Sequence, residues 1–275
     1  MGNSIQKQAF FPPTPPTEIH PKYQNNLKFI TTKDGHRIPI LYFPDHSSNY
    51  VLIYSHGNAD DLGNSANYLD YLSKKLKISV VGYEYLGYGH CELLPSAFTF
   101  SSSSIFNSKK ERICQYPSEN GTYQSINAVY DYLTLNMNIP AENLIFLGQS
   151  IGSGPTTNIC SRKICGGMIL VTPFKSAVKV VTESSLAAPV DFFKNSSIIT
   201  QVKCPIFIIH GTEDSVVPFS HGQKLYQILK DNRHPKLHSP LWIEGGDHND
   251  LTSFPQYIRG LQEFITLVTS SNNWD

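Results

Sequence analysis

The sequence predicts an α/β domain with a mostly parallel central sheet and helices on both faces. Three observations carry that prediction. Short, nearly continuous apolar runs recur along the chain, as expected of strands buried on both faces of a parallel sheet. Segments with helical apolar spacing separate those runs, which points to right-handed crossovers between parallel strands. The chain has 275 residues, 40% of them hydrophobic and 16% charged, enough to bury one large core.

Residues 1–25 are polar and proline-rich ("FFPPTPPTEIHPKY") and read as an extended arm rather than a helix. The domain proper is expected over residues 26–270. It opens with a hairpin, "LKFITTKDGHRIPILYF", two strand-like runs around Lys33-Asp34-Gly35. Strands follow at "YVLIYSHG", "ISVVGYEY", "NLIFLGQS", "GMILVTPF", "PIFIIHGTED" and "PLWIEGGDH". Helices are expected over residues 64–76, 122–136, 155–163, 221–232 and 254–268. Residues 93–116, with the run Ser101-Ser102-Ser103-Ser104 and no clear period, break the rhythm. They read as a disordered insertion; an active-site lid is the rival, but a lid should carry a coherent apolar face.

Composition excludes several classes. The 22 basic residues balance the 22 acidic ones without a long single-sign run, so nucleic acid is not expected as a partner. No apolar run approaches the ~20 residues that span a bilayer, and the first residues hold no apolar signal core. The chain therefore reads as cytoplasmic. Its five cysteines (Cys91, Cys114, Cys160, Cys165, Cys204) form no C-x-x-C pair and read as reduced, mostly buried thiols; neither a metal nor an organic cofactor is expected.

One short stretch points to chemistry. Gly148-Gln149-Ser150-Ile151-Gly152 is a G-x-S-x-G between the strand "NLIFL" and a segment able to start a helix. The pattern is common by chance, but strand-turn-helix is the context in which it exposes a nucleophilic serine on a strained turn. The partners must follow in the order Ser, Asp or Glu, His, each just past a strand. Asp214 lies beyond "PIFIIHGTED" and His248 beyond "PLWIEGGDH". Glu213 and Asp247 are neighbouring alternatives, with Asp214 preferred over Glu213. His210 sits within a strand end and reads as a local packing or bonding residue. His221, His234 and His238 fall on a helix or a polar loop and read as solvated. His56-Gly57-Asn58, after "YVLIY", stands where the second oxyanion donor is expected, so the backbone N–H groups of Asn58 and Ile151 are assigned that role. Asp60 or Asp61 is expected to cap the next helix.

With these residues in view, "SHGNADDLG", "GYG", "PSE", "GQSIGSGP", "IHGTEDSVVPFSHG" and "EGGDHND" resemble the α/β-hydrolase-domain-containing protein 17 family, serine hydrolases that depalmitoylate proteins. The resemblance covers about residues 10–268. It implies the α/β-hydrolase fold and a membrane-associated thioesterase that removes long acyl chains from cysteine. S-acylated proteins, or acyl esters, are the implied substrates. Ser150, Asp214 and His248 fall at that family's triad positions. Lipid or carboxylic ester hydrolysis uses the same machinery, and a catalytically silent binding module is the rival from another class. Three departures stand out: residues 93–116 separate Gly87-Tyr88-Gly89 from Pro117-Ser118-Glu119, Cys91 replaces the usual serine, and no cysteine precedes Cys91. Gly2 offers a site for myristoylation, though Gln6 stands where that motif wants Ser or Thr. Membrane contact is therefore expected to be peripheral and weak.

Overall fold

The uninterrupted apolar runs become the interior strands of one sheet in the computed structural model. Residues 9–93, 116–177 and 191–270 are described; Gly2 and residues 94–115 of the expected insertion lie outside them. Strands β3 (Val51–Ser55), β4 (Ser79–Tyr83), β7 (Gly167–Val171) and β8 (Ile206–Gly211) are buried at every position. In β6 (Leu144–Gln149) only Gln149 reaches partly into solvent. Side chains alternate across the sheet. Val51, Ile53, Leu144, Phe146, Met168 and Leu170 enter one core layer, and Leu52, Tyr54, Ile145, Leu147, Ile169 and Val171 enter the other.

Two strands, β1 (Leu27–Thr31) and β2 (His36–Phe43), form the expected hairpin, with Gly35 at φ 84° in its turn. A two-residue strand, β5 (Glu92–Leu93), adds antiparallel to β2. With β9 (Leu241–Ile243) the order is β1-β2-β4-β3-β6-β7-β8-β9, and pairing is parallel from β4 through β9. From β3 the chain runs outward to β4, and from β6 it runs the other way. The loops after β3 and β6 therefore diverge over one crevice, the switch point at which open α/β sheets place their sites.

Helices cover both faces. α1 (Leu62–Leu76) and α6 (Pro255–Ser270) bring Leu62, Leu69, Leu72, Leu261 and Phe264 to one layer. α2 (Glu119–Asp131), α3 (Ser153–Cys160) and α5 (Ser220–Asp231) bring Ile126, Val129, Ile159, Leu225 and Leu229 to the other. Asp61 caps α1 by accepting from the Asn64 N–H, and Ser118 caps α2 from Gly121. The helix expected over 122–136 starts earlier and changes at Tyr132–Asn136 into a wider π turn. A one-turn helix, α4 (Asn195–Ile198), had no signal in the sequence reading. No helix among the described residues is long and apolar enough to cross a membrane.

The described part of the arm, from residue 9, lies against the domain, and it includes a helical turn the sequence did not predict. Phe10 is buried against Tyr88, Phe192 and Phe193, and the arm ends in a short 3₁₀ helix, Pro21–Asn26, with Tyr23 packed on Phe43. The histidines expected to be solvated also differ. His221 is buried on the inner side of α5 and accepts from the Lys175 N–H; His234 is half-buried beside the Val202 carbonyl; His238 packs edge-on against Phe207. An imidazole has an apolar body, so a helical histidine on the sheet side is buried like any ring of its size.

Candidate active site

Ser150 sits between β6 and α3, in a 3₁₀ turn, Ser150–Gly152, that leads into the helix. Its φ of 53° lies in the left-handed region, which costs an ordinary side chain about 1–3 kcal/mol. The two flanking glycines permit this turn because there is no room for anything larger. A methyl on Gly152 would collide with the Ser55 carbonyl oxygen at the end of β3, and one on Gly148 with the Gly152 carbonyl and Thr156 Oγ1. Each collision involves a backbone carbonyl, so neither is relieved by moving a flexible side chain.

Three loops from the carboxyl edge of the sheet converge on this serine. His248 Nε2 lies 3.0 Å from Ser150 Oγ, and His248 Nδ1 lies 2.8 and 3.0 Å from the two oxygens of Asp214. The carboxylate on Nδ1 fixes the tautomer: Nδ1 donates, and Nε2 faces the hydroxyl as a base. Asp214 also accepts from the backbone N–H groups of Val216 (2.9 Å) and Val217 (2.7 Å). Burial pushes its pKa up, but hydrogen bonds from His210, His248 and Val217 prevail and hold the carboxyl well below the usual carboxylate range.

The two alternatives to Asp214 lie elsewhere. Glu213 is exposed. Asp247 turns toward the loop after β8 and accepts from Ser215 N–H (2.7 Å) and Ser215 Oγ (2.8 Å). It thereby ties the Asp214 loop to the His248 loop. The sequence preferred Asp214 to Glu213 on the loop after β8, and it is Asp214 that meets His248.

His210 bonds locally, as its place at a strand end led us to expect, and one of its partners is Asp214. Its Nε2 lies 2.9 Å from the Val217 carbonyl and 3.2 Å from Asp214 Oδ2. Both partners accept, so Nε2 carries the hydrogen and holds the same carboxylate oxygen, Oδ2, that His248 contacts at 2.8 Å. Its Nδ1 is buried without a hydrogen-bond partner, against Gly222 of α5, where an added methyl would come within 2.5 Å. Spacing gave no signal for this contact, because His210 and Asp214 meet only through the tight turn after β8.

On the β3 side, Ser55 pairs in register with Gly148, so the loop carrying Asn58 and the serine elbow leave neighbouring strands at the same height. His56 and Glu84 form a buried pair beneath that loop, each only 1% exposed, with Nε2 to Oε1 at 3.0 Å. His56 Nδ1 is 2.8 Å from the Gly57 carbonyl. A carboxylate and a carbonyl both accept, so the imidazole donates from both nitrogens and is an imidazolium. Burial pushes its pKa down, but Glu84 outweighs burial and raises it above the ordinary value of 6.5. Glu84 also accepts from the N–H groups of Leu62 (3.0 Å) and Tyr85 (3.3 Å), and Tyr85 stacks on His56 at 4.0 Å between ring centres. Because a peptide's C=O and N–H point in opposite directions, holding Gly57 O toward His56 turns the Asn58 N–H away from it. The Asn58 side chain is occupied elsewhere. It accepts from Phe11 N–H (3.0 Å) and Tyr88 OH (2.7 Å) and donates to the Ala9 carbonyl (2.8 Å).

Comparison with known proteins places this arrangement. Residues 118–268 match the Phospholipase/Carboxylesterase family. An alpha/beta hydrolase of Acanthamoeba polyphaga mimivirus is 32% identical over 258 residues, 91% of this chain and 89% of the viral one. Alpha/beta hydrolase domain-containing protein 17C of Homo sapiens is 35% identical over 221 residues, 80% of this chain. This chain spans 59% of the length of that protein, less than two thirds of it. Protein 17B of Xenopus tropicalis is 33% identical over 86% of this chain and 74% of its own. Among solved structures, an esterase of Pyrococcus furiosus superposes with a TM-score of 0.68 at 18% identity, covering 94% of this chain and 98% of the esterase, a likeness of fold. The chain is thus a hydrolase of the α/β-hydrolase superfamily, and it belongs to the alpha/beta hydrolase domain-containing protein 17 family.

Proposed function

We propose that the protein is a serine hydrolase that cleaves acyl thioesters, with S-palmitoylated protein cysteines as its substrates. The observation that carries this reading is the unbroken chain from Ser150 Oγ through His248 to Asp214, with hydrogen-bond contacts of 3.0 and 2.8 Å. In this reading Ser150 Oγ attacks the acyl carbonyl carbon while His248 Nε2 takes the hydroxyl proton. Asp214 keeps the ring oriented and stabilises the imidazolium that forms. The carbonyl oxygen becomes an oxyanion and accepts from the backbone N–H groups of Ile151 and Asn58. Collapse of the intermediate breaks the carbon–sulfur bond, and the imidazolium gives its proton to the departing thiolate. Water then attacks the acyl-serine, losing a proton to the same nitrogen, and the fatty acid leaves as Ser150 recovers its hydrogen.

Support for the thioester comes from the likeness in sequence to the protein 17 family. A second reading, oxyester hydrolysis, is favoured by the Phospholipase/Carboxylesterase match. A matched series of thioesters and oxyesters with the same acyl chains separates the two. The thioester reading expects kcat/KM for long-chain thioesters to exceed that for the matched oxyesters by at least tenfold. A preference for the oxyesters would favour the second reading.

A further inference from the structure

At the edge of the sheet opposite Ser150, three cysteines meet, two of them five residues apart and the third thirty-nine residues further on. Cys160 ends α3, Cys165 lies in the turn before β7, and Cys204 lies just before β8. Their three sulfurs lie within 4.8 Å of one another, and Cys165 Sγ is 3.5 Å from Cys204 Sγ. The triad follows the carboxyl ends of the strands whereas the thiols precede the amino ends of β7 and β8. Five residues of strand thus separate the two sites, about 15–20 Å. Cys160 and Cys204 are buried and Cys165 is half-buried.

We propose that Cys160, Cys165 and Cys204 form a trithiolate site for Zn²⁺, with the fourth coordination position open to solvent. Tetrahedral zinc with bonds of about 2.3 Å to sulfur sets its thiolates about 3.8 Å apart, so these sulfurs need move little to embrace an ion. Each ligand is held at the end or start of a regular element rather than in a long loop, which keeps the three sulfurs converged. All three line one side of a cavity of about 640 Å³, through which an ion and its fourth ligand, a water, can enter. Zn²⁺ with three thiolates carries one net negative charge. The cavity wall meets it with Arg162, Lys203 and Lys236 against Glu142, while Lys163 in the same wall is paired with Asp131 at 2.8 Å. On binding, the three thiols release their protons to solvent and no electron is transferred. Soft sulfur ligands exclude Mg²⁺ and Ca²⁺ and favour zinc and its relatives. The long, irregular spacing of the three cysteines, five and then thirty-nine residues, hides the site from any short motif.

The test uses the full chain, purified under reducing conditions, stripped with a chelator and titrated with Cd²⁺ as an optical probe. A thiolate-to-metal charge-transfer band that saturates at one equivalent and is displaced by Zn²⁺ is expected. In the wild type, Zn²⁺ should protect Cys160, Cys165 and Cys204 from alkylation, read by peptide mass, while the reaction of the half-buried Cys91 is unaffected by the metal. Cys165→Ser should weaken Zn²⁺ binding by more than the ~10–100-fold typical of a lost outer-shell partner. Cys91→Ser should leave it unchanged. Fluorophosphonate labelling of Ser150 serves as the control for folding in each variant. Three results would each overturn the site: no saturable band at one equivalent, a band unchanged in a folded Cys165→Ser protein, or two of the three cysteines recovered as a disulfide with no metal uptake from the reduced chain.

Discussion

Asp214 receives more hydrogen bonds than one catalytic acid needs. Two backbone N–H groups, His248 and His210 all donate to it, which leaves the carboxylate little freedom to turn. Asp214→Asn should therefore cost about 10⁴-fold in kcat, the usual effect of presenting the histidine with the wrong partner. Glu213→Gln, at an exposed side chain, should stay within twofold. Steady-state kinetics on a soluble ester checks both, and the reverse pattern would move the acid to Glu213. A second residue-scale expectation concerns Glu84. Its carboxylate raises the pKa of His56, a contribution to stability that is complete below about pH 6.5 and is lost as pH rises through the higher folded-state value. Glu84→Gln keeps an acceptor beside His56 but removes the charge that favours its protonated form, a loss of about 1–3 kcal/mol at acid pH. Urea unfolding from pH 5 to 9 should show the deficit largest at the acid end; a deficit that grows with pH would contradict the assigned charge. The order Ser150, Asp214, His248 was legible from strand ends alone. The bracing by His210, the Asp247–Ser215 tie and the His56–Glu84 pair were not, because each joins residues whose proximity depends on strand register and turn shape.

The elbow shows how elements, rather than single side chains, place the serine. β3 and β6 run in register, so the Ser55 carbonyl meets the backbone of Gly152 where α3 begins. Gly152→Ala puts a methyl against that carbonyl, and backbone cannot step aside as a long side chain can. The substitution should lower stability by about 1–3 kcal/mol and slow serine labelling at least tenfold. A protein with unchanged Tm and labelling rate would show that the contact is not a constraint. Sequence patterning located every interior strand, because a strand buried on both faces is apolar throughout. It was weaker where one period continues through a change of helix type. Ile126, Val129 and Leu133 keep helical spacing across the passage from α2 into the π turn, so apolar spacing alone does not mark the boundary. The two residues of β5 and the four of α4 are too short to carry any period.

Across the whole molecule, the N-terminal arm joins parts of the chain that the sheet alone would leave apart. Phe10 packs among Tyr88 after β4 and Phe192 and Phe193 before α4, while Ala9 and Phe11 bond the Asn58 side chain beside the crevice. Thr17 donates to Asp61, the cap of α1. Composition pointed to an extended, proline-rich segment, but proline-rich composition gives no sign of where a segment will lie down. Phe10→Ala should cost about 3–5 kcal/mol, as for other buried aromatic rings, and should slow turnover by loosening the Asn58 loop. Loss of turnover with unchanged stability, or the reverse, would separate the arm's two contributions. The account as a whole rests on Ser150. The most direct measurement is fluorophosphonate labelling of the wild type and Ser150→Ala, with the modified peptide identified by mass and folding checked by thermal unfolding. The account predicts one adduct, on Ser150, and no adduct or turnover in a folded Ser150→Ala protein. An adduct on another serine, or retained turnover in that variant, would contradict it.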